Sequence, residues 1–292
     1  MTYRVTLPCT RAQAEALPEA DHLFAERDSP PVLVADEPDP ARPDDWLIHA
    51  YFETEPDGEA LALLCSISNG PPQIEQLAEE NWVARSQSGL QPIRAGRFFV
   101  HTPTHAPDPS AINFEIDAGL AFGTGQHATT AGCLDALDRL ERDGKQFTNI
   151  ADIGTGTGLL AFAALKLWPD AKGIATDIDP ISIDVTRDNA AINGLTLGHG
   201  PGELLLAVAD GMDHPLLAAR APFDLLIANI LAGPLIELAP AFTRSLAPGA
   251  TIVLASLLDT QTRAVAGAYE QRGLTLVQQG AGEWPVLVLR AA

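Results

Sequence analysis

Ile150-Ala151-Asp152-Ile153-Gly154-Thr155-Gly156-Thr157-Gly158-Leu159-Leu160 reads as a short buried strand running into a glycine-rich turn and then a helix. Glycines without a Cβ let the backbone turn tightly and approach a ligand closely. The helix that follows, from Leu159 to Leu167, directs its N-terminal amides at whatever rests on the turn. The stretch is therefore a ligand seat, and the fold is read outward from it.

Two details select the ligand. A dinucleotide fingerprint places its third glycine three positions after the second, but here that position is Leu159 and Gly158 comes one place early. Asp152, two residues before Gly154, repels a pyrophosphate and attracts the ammonium or sulfonium of S-adenosylmethionine (AdoMet) in a half-buried cleft. The next strand, Gly173 to Asp177, ends in an acid suited to accept hydrogen bonds from both ribose hydroxyls. Asp177 is the expected ribose anchor, although nicotinamide cofactors use the same device. Asp179, followed by Pro180, fits better as the cap of the next helix. The expected cofactor seat therefore includes Asp152, Gly154, Gly156, Gly158 and Asp177.

Downstream the pattern alternates strand and helix, with strands near 150–153, 173–177, 203–207, 223–229, 250–255, 274–278 and 286–290. Continuous apolar runs such as Leu225-Leu226-Ile227-Ala228 imply burial on both faces, hence a mostly parallel, doubly wound α/β sheet of seven strands. The last two strands, joined around Gly280-Ala281-Gly282, form an antiparallel edge hairpin. Ligands bind beyond the carboxyl ends of such strands, which places Asn229 facing the cofactor at the end of the fourth. Its side-chain oxygen and backbone carbonyl can orient an amine nucleophile. The alternative for the side chain is to cap the helix that begins near Pro234.

Upstream, 3–7, 32–34, 46–52 and 73–77 read as strands and 10–17 and 57–65 as helices, the β-α-β-β-α-β order of a small ferredoxin-like α+β module. The expected organisation is a substrate-recognition domain over 1–77, a linker helix over 78–90 that lets it swing, and a catalytic domain over 91–292, entered by the short strand Phe98-Phe99-Val100-His101.

The net charge of -20, from 38 acids against 18 bases, weighs against a nucleic-acid surface and favours a basic partner. Residues 1–90 hold 17 of those acids against 5 bases, so the front module is suited to steer such a partner. No leader-like start and no apolar run of membrane-spanning length is present, so the expectation is a cytoplasmic protein with no membrane partner. Cys9, Cys65 and Cys133 lack paired spacing and read as buried small residues rather than disulfides or zinc ligands. Pro103 disfavours a helical metal pair at His101 and His105, and no metal is expected.

A second glycine-rich segment, Asp117-Ala118-Gly119-Leu120-Ala121-Phe122-Gly123-Thr124-Gly125-Gln126-His127-Ala128-Thr129-Thr130, precedes the first sheet strand and is suited to fold over a bound cofactor, or to serve as a turn with Thr129 or Thr130 as helix cap. Together with Asp152-Ile153-Gly154-Thr155-Gly156-Thr157-Gly158, Asp177-Ile178-Asp179-Pro180 and Asn229-Ile230-Leu231-Ala232-Gly233-Pro234-Leu235, it resembles the ribosomal protein L11 methyltransferase (PrmA) family of class I methyltransferases, over roughly 74–292. The resemblance implies an AdoMet-dependent enzyme that methylates lysine side chains or the N-terminal amine of a basic large-subunit ribosomal protein, recognised by the front domain. It also implies Thr130, Gly154, Asp177 and Asn229 as AdoMet contacts, with Phe122 over the cofactor. Ala118 and Ala128 stand where the family usually has proline, and Ser86 and His105 where it usually has tryptophan.

Methyl transfer from a sulfonium to an amine is an in-line displacement that needs a neutral amine, alignment and exclusion of water, with no obligatory carboxylate or histidine base. Ile230-Leu231 after Asn229 disfavours planar amide or nucleobase substrates, whose sites place an aromatic ring there. The remaining alternatives are methylation of another protein lysine, a non-catalytic AdoMet-binding ribosome-assembly protein and, distantly, a nicotinamide dehydrogenase.

Overall fold

Residues 2–15, 17, 24, 30–36, 46–52, 54–77, 92–116 and 127–292 are described by the structure, a computed structural model, and they fall into two units, Met1–Ser86 and Gln87–Ala292. The expected linker helix, 78–90, lies wholly outside the described residues.

In the first unit, burial alternates along 5–9, 32–36 and 48–52, while 73–76 are exposed throughout. It contains β1 (Thr2–Cys9), α1 (Arg11–Glu15), β2 (Val32–Asp36), β3 (Trp46–Phe52), α2 (Gly58–Ser66) and β4 (Gln73–Leu77). Every neighbouring pair in the order β2-β3-β1-β4 is antiparallel, the arrangement of the ferredoxin-like module. Val5, Leu7, Ile48, Ala50 and Phe52 point inward, and α2 seats Ala60 and Leu64 in the same core. Asp57 starts α2 by accepting from the Ala60 N–H at 2.8 Å. Cys9 is buried, but Cys65 is exposed on α2, so only part of the cysteine expectation holds.

The second unit opens with a three-stranded sheet, β5 (Ile93–Ala95), β6 (Phe98–His101) and β7 (Ile112–Glu115), of which only β6 is legible in the sequence. Segments of three and four residues are too short to show a period. Helix α3 (His127–Arg142) follows. Its Asp138, buried, is held by Arg97 from the β5–β6 turn and by Arg142 at 2.7 Å, which fixes the helix against the small sheet.

The main sheet is built from β8 (Asn149–Ile153), α4 (Leu159–Leu167), β9 (Lys172–Asp177), α5 (Pro180–Ile192), β10 (Thr196–Leu197), β11 (Glu203–Val208), α6 (Pro215–Arg220), β12 (Phe223–Asn229), α7 (Ala232–Arg244), β13 (Leu246–Ala255), α8 (Thr262–Glu270), β14 (Thr275–Gln279) and β15 (Leu287–Arg290). The order is β10-β11-β9-β8-β12-β13-β15-β14, parallel up to β13 and antiparallel at β15 and β14. The eighth strand, β10, is a two-residue exposed edge that pattern reading over longer windows passes over. Alternate residues feed two cores: Ile150, Leu225, Ile227 and Val253 face α3 and α4, while Ala151, Ile153, Leu226 and Leu254 face α7 and α8. Each fully buried Leu or Ile contributes about 1.5–3 kcal/mol. The result is a rigid frame whose strand ends line up along one edge.

Candidate cofactor and substrate site

That edge carries the site. The parallel register pairs Ile227 with Asp152, so Asn229, two residues on, comes level with Gly154. Gly154, Gly156 and Gly158 all adopt positive φ, at 76°, 57° and 86°. A Cβ on Gly158 would stand 2.7 Å from both Phe162 Cε1 and Thr186 Cγ2, so no other residue fits there without displacement. A Cβ on Gly154 would run into Ile230 Cγ2. The turn is fastened to β9: the N–H groups of Gly154 and Thr155 donate to the Thr176 carbonyl at 2.8 and 2.9 Å, and that of Gly156 donates to Asp177 Oδ2 at 2.9 Å.

Asp177 is thereby oriented, its Oδ1 accepting from the Asp179 N–H at 3.0 Å. Each carboxylate oxygen keeps acceptor capacity for a further donor such as a ribose hydroxyl. Asp179 caps α5 through the Ile181 N–H at 2.9 Å, with Pro180 in the first turn. Asp152 sits deeper than a half-buried cleft, at 1% exposure. Its Oδ2 accepts from Thr155 Oγ1 at 2.7 Å and from the Ala161 N–H at 3.2 Å, while Oδ1 has no partner. Burial pushes its pKa up to about 7, against the opposing effect of those two donors and with a smaller upward push from Asp177. Its influence on a bound cation is that of a buried charge acting through the turn.

Asn229 ends β12 with its Oδ1 buried and without a hydrogen-bond partner. Capping is not its role, because the N-cap of α7 is Leu231 and makes no side-chain cap bond. Thr129 is buried and Thr130 half-buried in the first turn of α3, whereas Phe122 lies outside the described residues. His101 is buried with Nδ1 against the Thr102 carbonyl, and His105 Nδ1 is engaged with Thr102 Oγ1 at 3.1 Å. Among the described residues no group of potential ligands could hold a metal ion.

Sequence reasoning missed two kinds of residue. Thr186 and Asn189 of α5 are fully buried and bond the turn from behind; their signal is a polar residue on the inward face of an amphipathic helix. Ile178 and Asp210, both exposed, stand at the carboxyl ends of neighbouring β9 and β11 and add an apolar surface and an acceptor to the same edge. The set suits AdoMet on three observations: a glycine cradle that a side chain would fill, a carboxylate fixed with spare acceptor capacity, and an orphaned buried amide oxygen beside the turn.

The chain matches the family model described as "Ribosomal protein L11 methyltransferase (PrmA)" over residues 9–292, reaching well before residue 74. It is 44% identical over 231 residues to the ribosomal protein L11 methyltransferase of Brucella suis, covering 78% of each chain. It is 40% identical over 288 residues to that of a Caulobacter species, covering 96% of this chain and 94% of the relative. Among solved structures, a ribosomal protein L11 methylase from Lactobacillus delbrueckii subsp. bulgaricus superposes with TM-score 0.59 at 27% identity, over 69% of this chain and 99% of that one.

Proposed function

The chain belongs to the ribosomal protein L11 methyltransferase family, and we propose on that premise that it methylates lysine side chains or the N-terminal amine of ribosomal protein L11. It is an AdoMet-dependent methyltransferase of the class I fold. AdoMet, when bound, supplies an electrophilic methyl group on a sulfonium.

In this reading, Gly154, Gly156 and Gly158 form the cradle, Asp177 binds the ribose, Thr130 and Phe122 complete the cofactor contacts, and Asn229 aligns the amine. The observation that carries the reading is the buried, unpartnered Oδ1 of Asn229. An acceptor left without a donor costs about 1–3 kcal/mol, and an amine N–H arriving there relieves that cost. A lysine ammonium of pKa near ~10.4 has to lose its proton before it attacks, and desolvation at an apolar edge favours the neutral form. Ile230 and Leu231 follow Asn229 where sites for planar substrates place an aromatic ring, which favours an aliphatic amine over a planar group. Purified L11 incubated with labelled AdoMet is expected to acquire label on lysine or its N-terminal amine. AdoMet binding without transfer would leave a non-catalytic binder, and label on a different protein would overturn the substrate.

We further assign recognition of the substrate to the front domain, and the reaction to the cytoplasm; no helix among the described residues is long and apolar enough to cross a membrane. Opposite the face that α1 and α2 cover, the front sheet presents Val32 and Val34, both exposed, with the exposed Asp36 on the same strand beside His49, and with Glu75 on β4 paired to Arg4 at 2.6 Å. An apolar strip ending in an exposed carboxylate suits a basic protein. Neutralising Asp36 is expected to slow association with L11 at low salt and to flatten its salt dependence, whereas Glu75, already paired with Arg4, is expected to contribute little to steering. Unchanged rates in a stopped-flow titration would remove this face from recognition.

A further inference from the structure

The buried face of α5 is more polar than a core helix needs. Ser182, Ile183, Thr186, Asn189 and Ala190 all point inward, and burying hydroxyl and amide groups is unfavourable unless they are bonded. Two of them bond the cofactor turn: Thr186 Oγ1 donates to the Gly156 carbonyl at 2.9 Å, and Asn189 Nδ2 donates to the Thr157 carbonyl at 3.0 Å. A planar trans peptide sets its N–H opposite its carbonyl, so anchoring the Gly156 carbonyl on α5 turns the Thr157 N–H to the far side. Glycine at φ 57° would otherwise let that peptide rotate at little cost.

The last residue of this chain of contacts is Asn193, the C-cap of α5. Its Nδ2 donates to the Asn189 carbonyl at 2.8 Å and to the Glu115 carbonyl at 2.7 Å, using both of its hydrogens. Its Oδ1 accepts from the Glu115 N–H at 2.9 Å. One side chain therefore makes with the end of β7 the paired contact that a neighbouring strand would make, while holding the helix turn that carries Asn189.

We propose that Asn193 is a positioning residue of the cofactor site: it ties the end of β7 to α5, and through Asn189 and Thr186 that helix sets the peptide orientations of the turn at Gly156 and Thr157. The inference rests on the AdoMet reading of the turn. Asn193 touches neither cofactor nor substrate in it, and its effect is confined to the cofactor's binding surface.

The test is calorimetric AdoMet affinity of the full chain together with steady-state kinetics. Asn193→Ala is expected to weaken AdoMet about fivefold and to raise KM for AdoMet in proportion, with kcat at saturating AdoMet and KM for the protein substrate near wild type. Asn189→Ala is expected to act in the same direction, and the double variant to be no weaker than the weaker single one, because both remove one line of contacts. Asn193→Asp keeps the acceptor for the Glu115 N–H and loses both donated bonds, so it carries the same test if the alanine variant fails to fold. Wild-type affinity in the Asn193 variants, or multiplicative losses in the double variant, would overturn the proposal. Failure of the wild type to bind AdoMet would instead overturn the reading on which it rests.

Discussion

Asn229→Ala is expected to lower kcat by roughly a hundredfold or more while AdoMet affinity changes by less than about fivefold. The reason lies in where the side chain sits and what it lacks. Asn229 comes level with Gly154 at the mouth of the turn, and its Oδ1 is buried with no protein donor. An acceptor of this kind contributes nothing to the folded protein, so deleting it breaks no hydrogen bond and relieves a desolvation cost. Thermal stability should therefore hold or rise as turnover falls, which separates a chemical role from a folding defect. In-line transfer needs the amine lone pair on the axis of the breaking bond, and a single hydrogen bond lost from that alignment is felt in kcat rather than in donor binding. Single-turnover rates at saturating AdoMet, with a calorimetric titration beside them, read both quantities. A wild-type rate in this variant would remove Asn229 from the mechanism and return the orphaned oxygen to an unexplained feature of β12.

What could be read from the chain and what could not divide along a physical line. The turn at 154–158, its helix and the strand ending at Asn229 were legible because each signal is local: three glycines, an apolar run, a turn after it. The front module was legible through alternation, and Asp179 as a cap through the proline beside it. The contacts that hold the turn were not. Thr186 reaches Gly156 across 30 positions and Asn193 reaches Glu115 across 78, and no window on the chain brings such pairs together. The short strands β5, β7 and β10 carry too few residues for a period to emerge. Asp152 is the instructive case, since its depth was available in principle. It shares strand parity with Ile150, and on a sheet covered on both faces that parity places the carboxylate under the helices rather than in an open cleft. The charge of the residue drew attention to the ligand; its position on the strand determined its exposure.

That depth makes Asp152→Asn the second variant of large expected effect. Burial lifts the Asp152 carboxyl to about 7, well above the ~3.9 of an unfolded chain. Between these values the native state binds more protons than the unfolded state, so stability falls as pH rises. The contribution of the neutral carboxyl is full below about pH 4, is lost progressively up to about pH 7, and above that the buried charge stands as a constant penalty on the order of a few kcal/mol. Asparagine removes the charge and keeps the shape: its amide oxygen can accept from Thr155 Oγ1 and the Ala161 N–H, and its amide nitrogen takes the place of the unpartnered Oδ1. The ligand-free variant should therefore melt above wild type at pH 8 by several degrees, with the gap closing as pH falls towards 4. Cofactor binding should move the other way. A buried carboxylate attracts a bound sulfonium and ammonium through the turn only while it is ionised, so the variant should bind AdoMet more weakly at pH 8 and with nearly wild-type affinity at pH 5. A charge retained at a cost in stability because it serves the ligand is a known pattern at binding sites. Melting curves of both proteins from pH 4 to 8, with and without AdoMet, decide it: a stability gap that does not change with pH would mean that the carboxyl does not titrate in this range, and the argument from its burial would fail.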